Sequence, residues 1–498
     1  MSAIDYAIAI DWDDDGVFGP EDDISPDVLQ LEWRLGMAAP GESVAPPGQA
    51  AITVRSRSRI YSPEASSQPL APGRPLRISS RHGQQMRVHF TGFITQIEPI
   101  PGADGPRRAV IHAATVDAAF EQAIARLPPL TNARADAIIA ALFDALPLRR
   151  RALAGRWVLG VAGFSAVGSA VLAGPAIAPA LEPGISTFAY VGDLWDVPAI
   201  EALRDAVASE RGRFFIDREG TPIFHNRHRH LRPAPTAAIF NDDMSALDYA
   251  YPPPANLVRV SFRPRAVGAP DSPLWTLTSP QRLPPGTTTM AARFRDSSGQ
   301  PLGALTISRV VFSANTAADG SGSPVAVTAV LREAAASAAL IEWRNPSSAP
   351  AFLLPGAQVR GTPLISGDPL TIAHQDERSI TFHGLRGRDL RPRLLSSIDE
   401  ADQMARFELA RGSRPRGIVR AIAVDARARP AALGLTLFDR IVIAETQTGH
   451  SGAYLIIAEQ HTVELGGGRH RIRLLLEPAD QPFWTLGTAA LEAAVLAY

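Results

Sequence analysis

The residues best placed to do chemistry come early, in AIAIDWDDDGVFGPEDDI. Asp11, Asp13 and Asp15 followed by Gly16 have the spacing of an oxygen-ligand calcium loop. Alternate carboxylates would face the ion, Gly16 would permit the sharp turn, the Val17 carbonyl would ligate, and Asp22 falls at the closing position. Two features weigh against a cation. The preceding segment alternates as a strand does, and the usual closing residue is Glu, whereas Glu21 stands one place early. An acidic, solvated turn leaving the first strand accounts for the same residues. Calcium is therefore a candidate ligand of Asp11, Asp13, Asp15 and Asp22, and no other cofactor is expected.

Other constellations are weaker. In HNRHRH, an extended chain would put His228 and His230 on one face and His225 on the other, and the neighbouring Arg residues oppose a bound cation, so a polar strand end is the plainer reading. TGHSGAY has Ala453 where a nucleophile elbow needs its second Gly and reads as a hairpin turn. GVAGFSAVG lacks the spacing and the strand–turn–helix setting of a dinucleotide loop. No phosphate loop, zinc-protease helix motif or pair of glycosidase-like carboxylates stands out. No catalytic residue is assigned, and the chain is expected not to be an enzyme.

Composition removes further classes. There is no Cys, which excludes disulfides, thiolate metal sites and cysteine nucleophiles. A net charge of −1 supplies no field to hold a nucleic-acid backbone or an anionic membrane. All 49 basic side chains are Arg, a bias that fits a GC-rich genome. With 498 residues, 46% of them hydrophobic, the chain can build three or four domains. The N-terminus lacks the basic and apolar regions of a secretory signal. The uncharged run from Trp157 to Leu181 has the length of a membrane span, but Pro175 and Pro179 interrupt it and Gly and Ser dilute it, so no stable span is expected.

The elements that must position these residues are mainly strands. Residues 4–114 alternate apolar and polar side chains between Gly- and Pro-marked turns, as in a small barrel or sandwich. Helices are expected over Asp117–Leu127 and Ala133–Leu146. Another follows in DLWDVPAIEALRDAVASERG, with Asp196 as cap, Ile200, Leu203 and Val207 as buried stripe, and Gly212 as exit. RFFIDREGTPIFHN reads as a hairpin turning at REG. Residues 271–364, rich in Thr, Ser and Pro, read as an inserted Ig-like sandwich. Ser397 and Glu400 have capping-box spacing before a helix. Strong strands and a GGG hairpin follow, then an apolar tail over 483–498. PGRPLRISS…RVHFTGFITQIEP and LFDRIVIAE…AYLIIAEQHTVEL share one plan of turn, strand, spacer and strand, a loose internal repeat.

Together IDWDDDGVFGPEDDI, PGRPLRIS…FTGFITQIEP, FFIDREGTPIFHNRHR, ANLVRVSFRPR and RIVIAETQTGHSGAYLIIAEQH resemble bacteriophage tail hub proteins, related to the baseplate hubs of contractile tails. The resemblance implies two tube-like β-barrels, at 1–127 and at 196–270 with 365–482, in a mainly β fold with some helix; the helical, Gly/Ala-rich insertion at 128–195 and the tail at 483–498 are read from the residues, and the sandwich at 271–364 departs from the simplest hub plan. It implies a homotrimer whose six barrels join a six-fold tail tube to a three-fold tip and line the ejection channel. Partners would be the tube or distal tail protein, the spike, fibre or tape-measure protein, and double-stranded DNA only in passage. The location would be the virion tail tip, after assembly in the host cytoplasm. The alternatives are the hub of a bacterial contractile injection device and a tip-associated cell-wall hydrolase or glycan-binding protein.

Overall fold

The computed structural model describes residues 4–479 except 14–15, 58–59, 63, 65–69, 103–105, 128–129, 147, 154–155, 162–178, 193–194 and 233. The apolar tail and most of the uncharged run lie outside these residues. Among the described residues no helix is long and apolar enough to cross a membrane.

The fold is mainly β, and one twelve-stranded sheet organises it. In chain order its strands are β1 (Ile4–Ile10), β2 (Val28–Gly36), β3 (Gln49–Arg55), β4 (Pro75–His82), β5 (Gln85–Ile100), β6 (Arg108–Ala114), β7 (Thr236–Asn241), β8 (Ala246–Ala250), β9 (Ile418–Asp425), β10 (Arg440–Glu445), β11 (His450–Glu464) and β12 (Arg469–Pro478). The first six lie in the order β1-β4-β5-β6-β3-β2, and the last six in the matching order β7-β10-β11-β12-β9-β8. Only the sense of the first pairing differs: β1 runs antiparallel to β4, and β7 parallel to β10.

The duplication extends to irregularities. Gly73, in the left-handed region at φ 91°, donates its N–H to Ile94 O at 2.7 Å, and Ile94 N–H returns to Arg74 O at 2.9 Å. In the second half Phe438, at φ 66°, donates to Ile456 O at 2.6 Å, and Ile456 N–H returns to Asp439 O at 3.1 Å. A bulge follows at the same place in each long strand, between Ile94 and Gln96 and between Ile456 and Ala458. Bulges bend strands and increase their twist, so each half curls around its own core.

Alternation explains the two cores. In the first, Leu31, Trp33 and Leu35 of β2 point inward with Ile52 and Val54 of β3 and Ile8 and Ile10 of β1, so both ends of the six-stranded array reach one interior. In the second, Phe240, Ile422, Val424, Ile441, Ile443, Ile456, Ile472 and Leu474 do the same. The halves join where β2 pairs antiparallel with the distal part of β11, from Gln30 opposite Glu464 to Gly36 opposite Ala458.

Segments between the halves build separate cores. Helices α1 (Ala118–Gln122), α2 (Ala135–Ala145) and α3 (Ala199–Glu210) pack with Phe214 and Phe224 of the 213–225 hairpin. Strand Leu257–Phe262, flanked by Leu370–Gln375 and Gly387–Leu390, packs on α5 (Ile398–Gly412) through Val258, Val260, Met404 and Ala405; the short α4 (Glu377–His383) lies between. Residues 272–366 form three small sheets round Trp343, Leu274, Leu353 and Val359. Thus 236–250 and 418–478 supply the second curled half, while 199–225 and 257–262 with 370–412 pack elsewhere.

Three local expectations are corrected. The helix expected to reach Leu127 stops at Gln122, and Ile124–Arg126 is a strand against Trp195–Pro198. Its burial has period two, with Ala125 and Leu127 inside and Ile124 51% exposed, which a helix cannot provide. Asp196 lies in that partner strand and is no cap; Pro198 holds the N-cap position of α3. At the exit Arg211, at φ 62°, takes the left-handed position, while Gly212 is needed because a Cβ there would lie 2.6 Å from the Phe224 ring.

Candidate assembly seam and the acidic loop

The acidic loop is held by its own backbone. Buried Asp11 directly follows β1, and its Oδ2 accepts the Gly16 N–H at 2.9 Å. Asp22, buried on a short 3-10 turn, accepts from Trp12 N–H at 3.2 Å and from Gly19 N–H at 2.8 Å. Gly16 sits at φ 86°. Asp13 is exposed, and Asp15 lies outside the described residues. Two of the four candidate ligands thus close the loop through amide hydrogen bonds. Among the described residues no group of three or more His, Cys, Asp or Glu could hold a metal ion.

The HNRHRH histidines do not share a strand. The strand ends at His225, and Arg229–Leu231 is a 3-10 turn that brings the His225 and His230 rings to 5.2 Å. Phe438 packs on both, at 5.5 and 4.5 Å. Burial, helped by Arg229, lowers His225 to about 4, and burial with the His225 and Arg213 charges lowers His230 to about 3, so both are neutral near pH 7. They border a cavity of about 1340 Å³ whose lining includes Arg87, Arg229, Arg232 and Arg440. TGHSGAY is the β10–β11 hairpin: Ser451 is exposed and His450 Nε2 lies 2.6 Å from Tyr454 Oη.

The densest buried chemistry lies where the halves meet. Trp33 of β2 stacks on His461 of β11, with centroids 4.4 Å apart and planes 11° apart. His89 of β5 and His470 of β12 lie 5.4 and 5.7 Å from the same indole. The contacts form a chain: Tyr6 Oη to His470 Nδ1 at 2.6 Å, His470 Nε2 to His461 Nδ1 at 2.9 Å, and His461 Nε2 to Glu459 Oε2 at 3.6 Å. Glu459 accepts both arms of Arg218, which also donates to Leu433 O at 2.7 Å and Leu435 O at 2.6 Å. His89 Nε2 lies 2.7 Å from Ser80 Oγ.

Physics fixes the charge states. Burial, with the Arg218 charge added, holds His89 well below its ordinary value, and burial lowers His461 against the opposing pull of the Glu459 carboxylate. Burial and the neighbouring His461 lower His470 to about 2. Burial works against the Glu459 carboxylate, but the paired Arg218 outweighs it and holds Glu459 at about 2. The seam is therefore three neutral imidazoles beside one ion pair. Arg218 comes from the REG turn, which the sequence marks as the turn of a hairpin and not as part of a buried ion pair. The missed signal is alternation at His461 and His470, which fall at inward positions of their strands; His89 sits at a bulge between Val88 and Phe90, within a continuously buried run.

A second ionic knot ties α3, α5 and β12. Glu477 accepts from Arg213 at 3.0 Å and from Arg411, while fully buried Glu408 pairs with Arg211 and, at 2.7 Å, with Arg388. These bidentate and shared guanidinium contacts suit Arg and would not survive replacement by a point charge.

No protein-family profile and no curated protein matches the chain. Solved structures do. A tail protein from Neisseria meningitidis MC58 is similar at 9% identity over 95% of this chain and 97% of its own, with a TM-score of 0.49. The 43 kDa tail protein of prophage MuSo2 from Shewanella oneidensis is similar at 9% identity over 96% and 99%, TM-score 0.49. Prophage tail protein gp18 from Listeria monocytogenes EGD-e is similar at 11% identity over 95% and 94%, TM-score 0.40.

Proposed function

We propose that this chain is a structural hub of a phage tail tip or baseplate. Three copies form a ring of six curled sheet halves that joins a six-fold tube to a three-fold tip and surrounds the ejection channel. The supporting observation is the duplicated sheet: two halves with one strand order lie edge to edge in a single chain. A chain carrying two equivalent halves converts three-fold symmetry of chains into near six-fold symmetry of halves. The role is mechanical and needs no catalytic residue. The acidic loop holds its turn through amide hydrogen bonds to Asp11 and Asp22. Partners in this reading are the tube above, the spike or tape-measure protein at the tip, and DNA in transit, in the virion.

Micrographs of the purified chain test this directly. A pierced three-fold particle with six lobes, inert on peptidoglycan, is the expected result. A single-chain particle that releases soluble sugar or peptide from cell wall would replace the hub with a hydrolase.

A further inference from the structure

The internal duplication makes one joint visible and leaves its counterpart open. Inside the chain, the outer edge of the first half, β2, pairs with β11 beyond its bulge, at residues 458–464. The matching bulges align Gln96 with Ala458, so the equivalent site on the first half is β5 from residue 96 onward. The strand equivalent to β2 is β8: Leu31 and Glu32 oppose Ile52 and Ala51, as Leu247 and Asp248 oppose Ile422 and Ala421. Among the described residues β8 pairs only with β9, and β5 beyond Ile94 pairs only with β6. Both carry exposed apolar groups at these edges, Ile100 at 43% and Tyr251 just past β8 at 66%.

We propose that a second copy of this chain lays its β8 edge antiparallel along β5 residues 96–100, repeating between chains the joint that β2 makes with β11 within one. It rests on the ring reading above. Such a contact is heterologous, because the surfaces differ, and it closes only through a rotation. A chain with one open β8 edge and one open β5 edge meets that condition, and three copies satisfy all six joints.

The interchain joint differs from the seam in one physical respect. Met37 N–H donates to Ile457 O and Leu465 N–H to Leu29 O, so antiparallel alternation turns the backbone groups of Glu459, His461 and Val463 toward β2. Their counterparts are Ile97, Pro99 and Pro101, and two of the three donors are missing. Pro252–Pro254 likewise end the β8 edge. Prolines at open edges prevent indiscriminate pairing of the free chain. They also make the interchain joint the weaker, reversible one of the two.

The absence of Cys gives a clean test. Glu32 opposes Thr462, the counterpart of Ile100, so Asp248→Cys is combined with Ile100→Cys or, to cover a slip of two residues, with Glu98→Cys, in the full chain, and oxidised mildly. The expected product is a covalent ladder ending at a closed trimer for at least one pair, and none when Asp248→Cys is combined with Ser298→Cys in the inserted domain. A trimer by light scattering in which neither edge pair links would overturn this joint and leave the ring standing. A single-chain species at micromolar concentration would overturn both.

Discussion

At the residue scale, the buried imidazoles of the seam predict how the molecule responds to acid. His89, His461 and His470 titrate in the folded state below the 6.5 of an unfolded chain. Their contribution is therefore fully present above pH 6.5. It declines as pH falls below that, by up to about 1.4 kcal/mol per pH unit for each histidine, because the unfolded chain takes up protons the fold refuses. The charges facing them enter the same balance with opposite signs: the Arg218 guanidinium lowers all three and the Glu459 carboxylate raises them, while burial outweighs both. Elsewhere, buried Asp117, raised to about 7, and Glu210, also raised by burial, act in the opposite sense, so the variant difference is the informative quantity. His461→Gln is expected to make the melting midpoint less dependent on pH between 7.5 and 5.5; a slope equal to wild type would contradict the assignment. Arg218→Met, which leaves the Glu459 carboxylate buried and unpaired, is expected to cost about 3–5 kcal/mol in denaturant unfolding. Arg218→Met with Glu459→Gln should recover much of that. At the acidic loop, a melting curve with chelator is expected to match one without, which would remove calcium as a ligand of Asp11, Asp13, Asp15 and Asp22; a lower midpoint with chelator would support it.

At the element scale, two substitutions probe why the chain turns where it does. Ser397 Oγ accepts the Glu400 N–H at 3.3 Å at the start of α5, so Ser397→Ala should cost about 1 kcal/mol, read by urea midpoint at constant slope. Gly73→Ala should cost about 1–2 kcal/mol from its left-handed backbone alone, since nothing lies within 4 Å of the added Cβ. At the same position of the second half Phe438 tolerates φ 66° because its ring is held between Phe215 and the two histidines. The contrast shows what was legible in the sequence. Alternation in β1–β6, the α5 cap and the shared plan of PGRPLRIS and LFDRIVIA are local patterns, and each corresponds to an observed element. The α1 boundary, Asp196 and the buried role of Arg218 were not legible, because partners 70 to 240 residues away decide them. The same holds for the candidate site. Asp11 and Asp22 could be named from spacing, but their amide partners depend on the closed turn. The seam histidines have no spacing motif, since they come from three strands.

At the scale of the whole molecule, the proposed assembly turns on strand edges. Two curled halves satisfy one pair of edges internally through β2 and β11, and in the proposed ring the β8 and β5 edges are left for neighbours. Burial of an apolar and partly backbone-paired edge by another copy makes assembly concentration-dependent and its stability inseparable from that of the ring. Sedimentation velocity on the purified full chain, from nanomolar to tens of micromolar, tests this most directly. The account predicts a reversible step from the 53.1 kDa chain to a species of three times that mass, with no larger open series. A chain that remains at 53.1 kDa throughout, or that grows without limit, would contradict it.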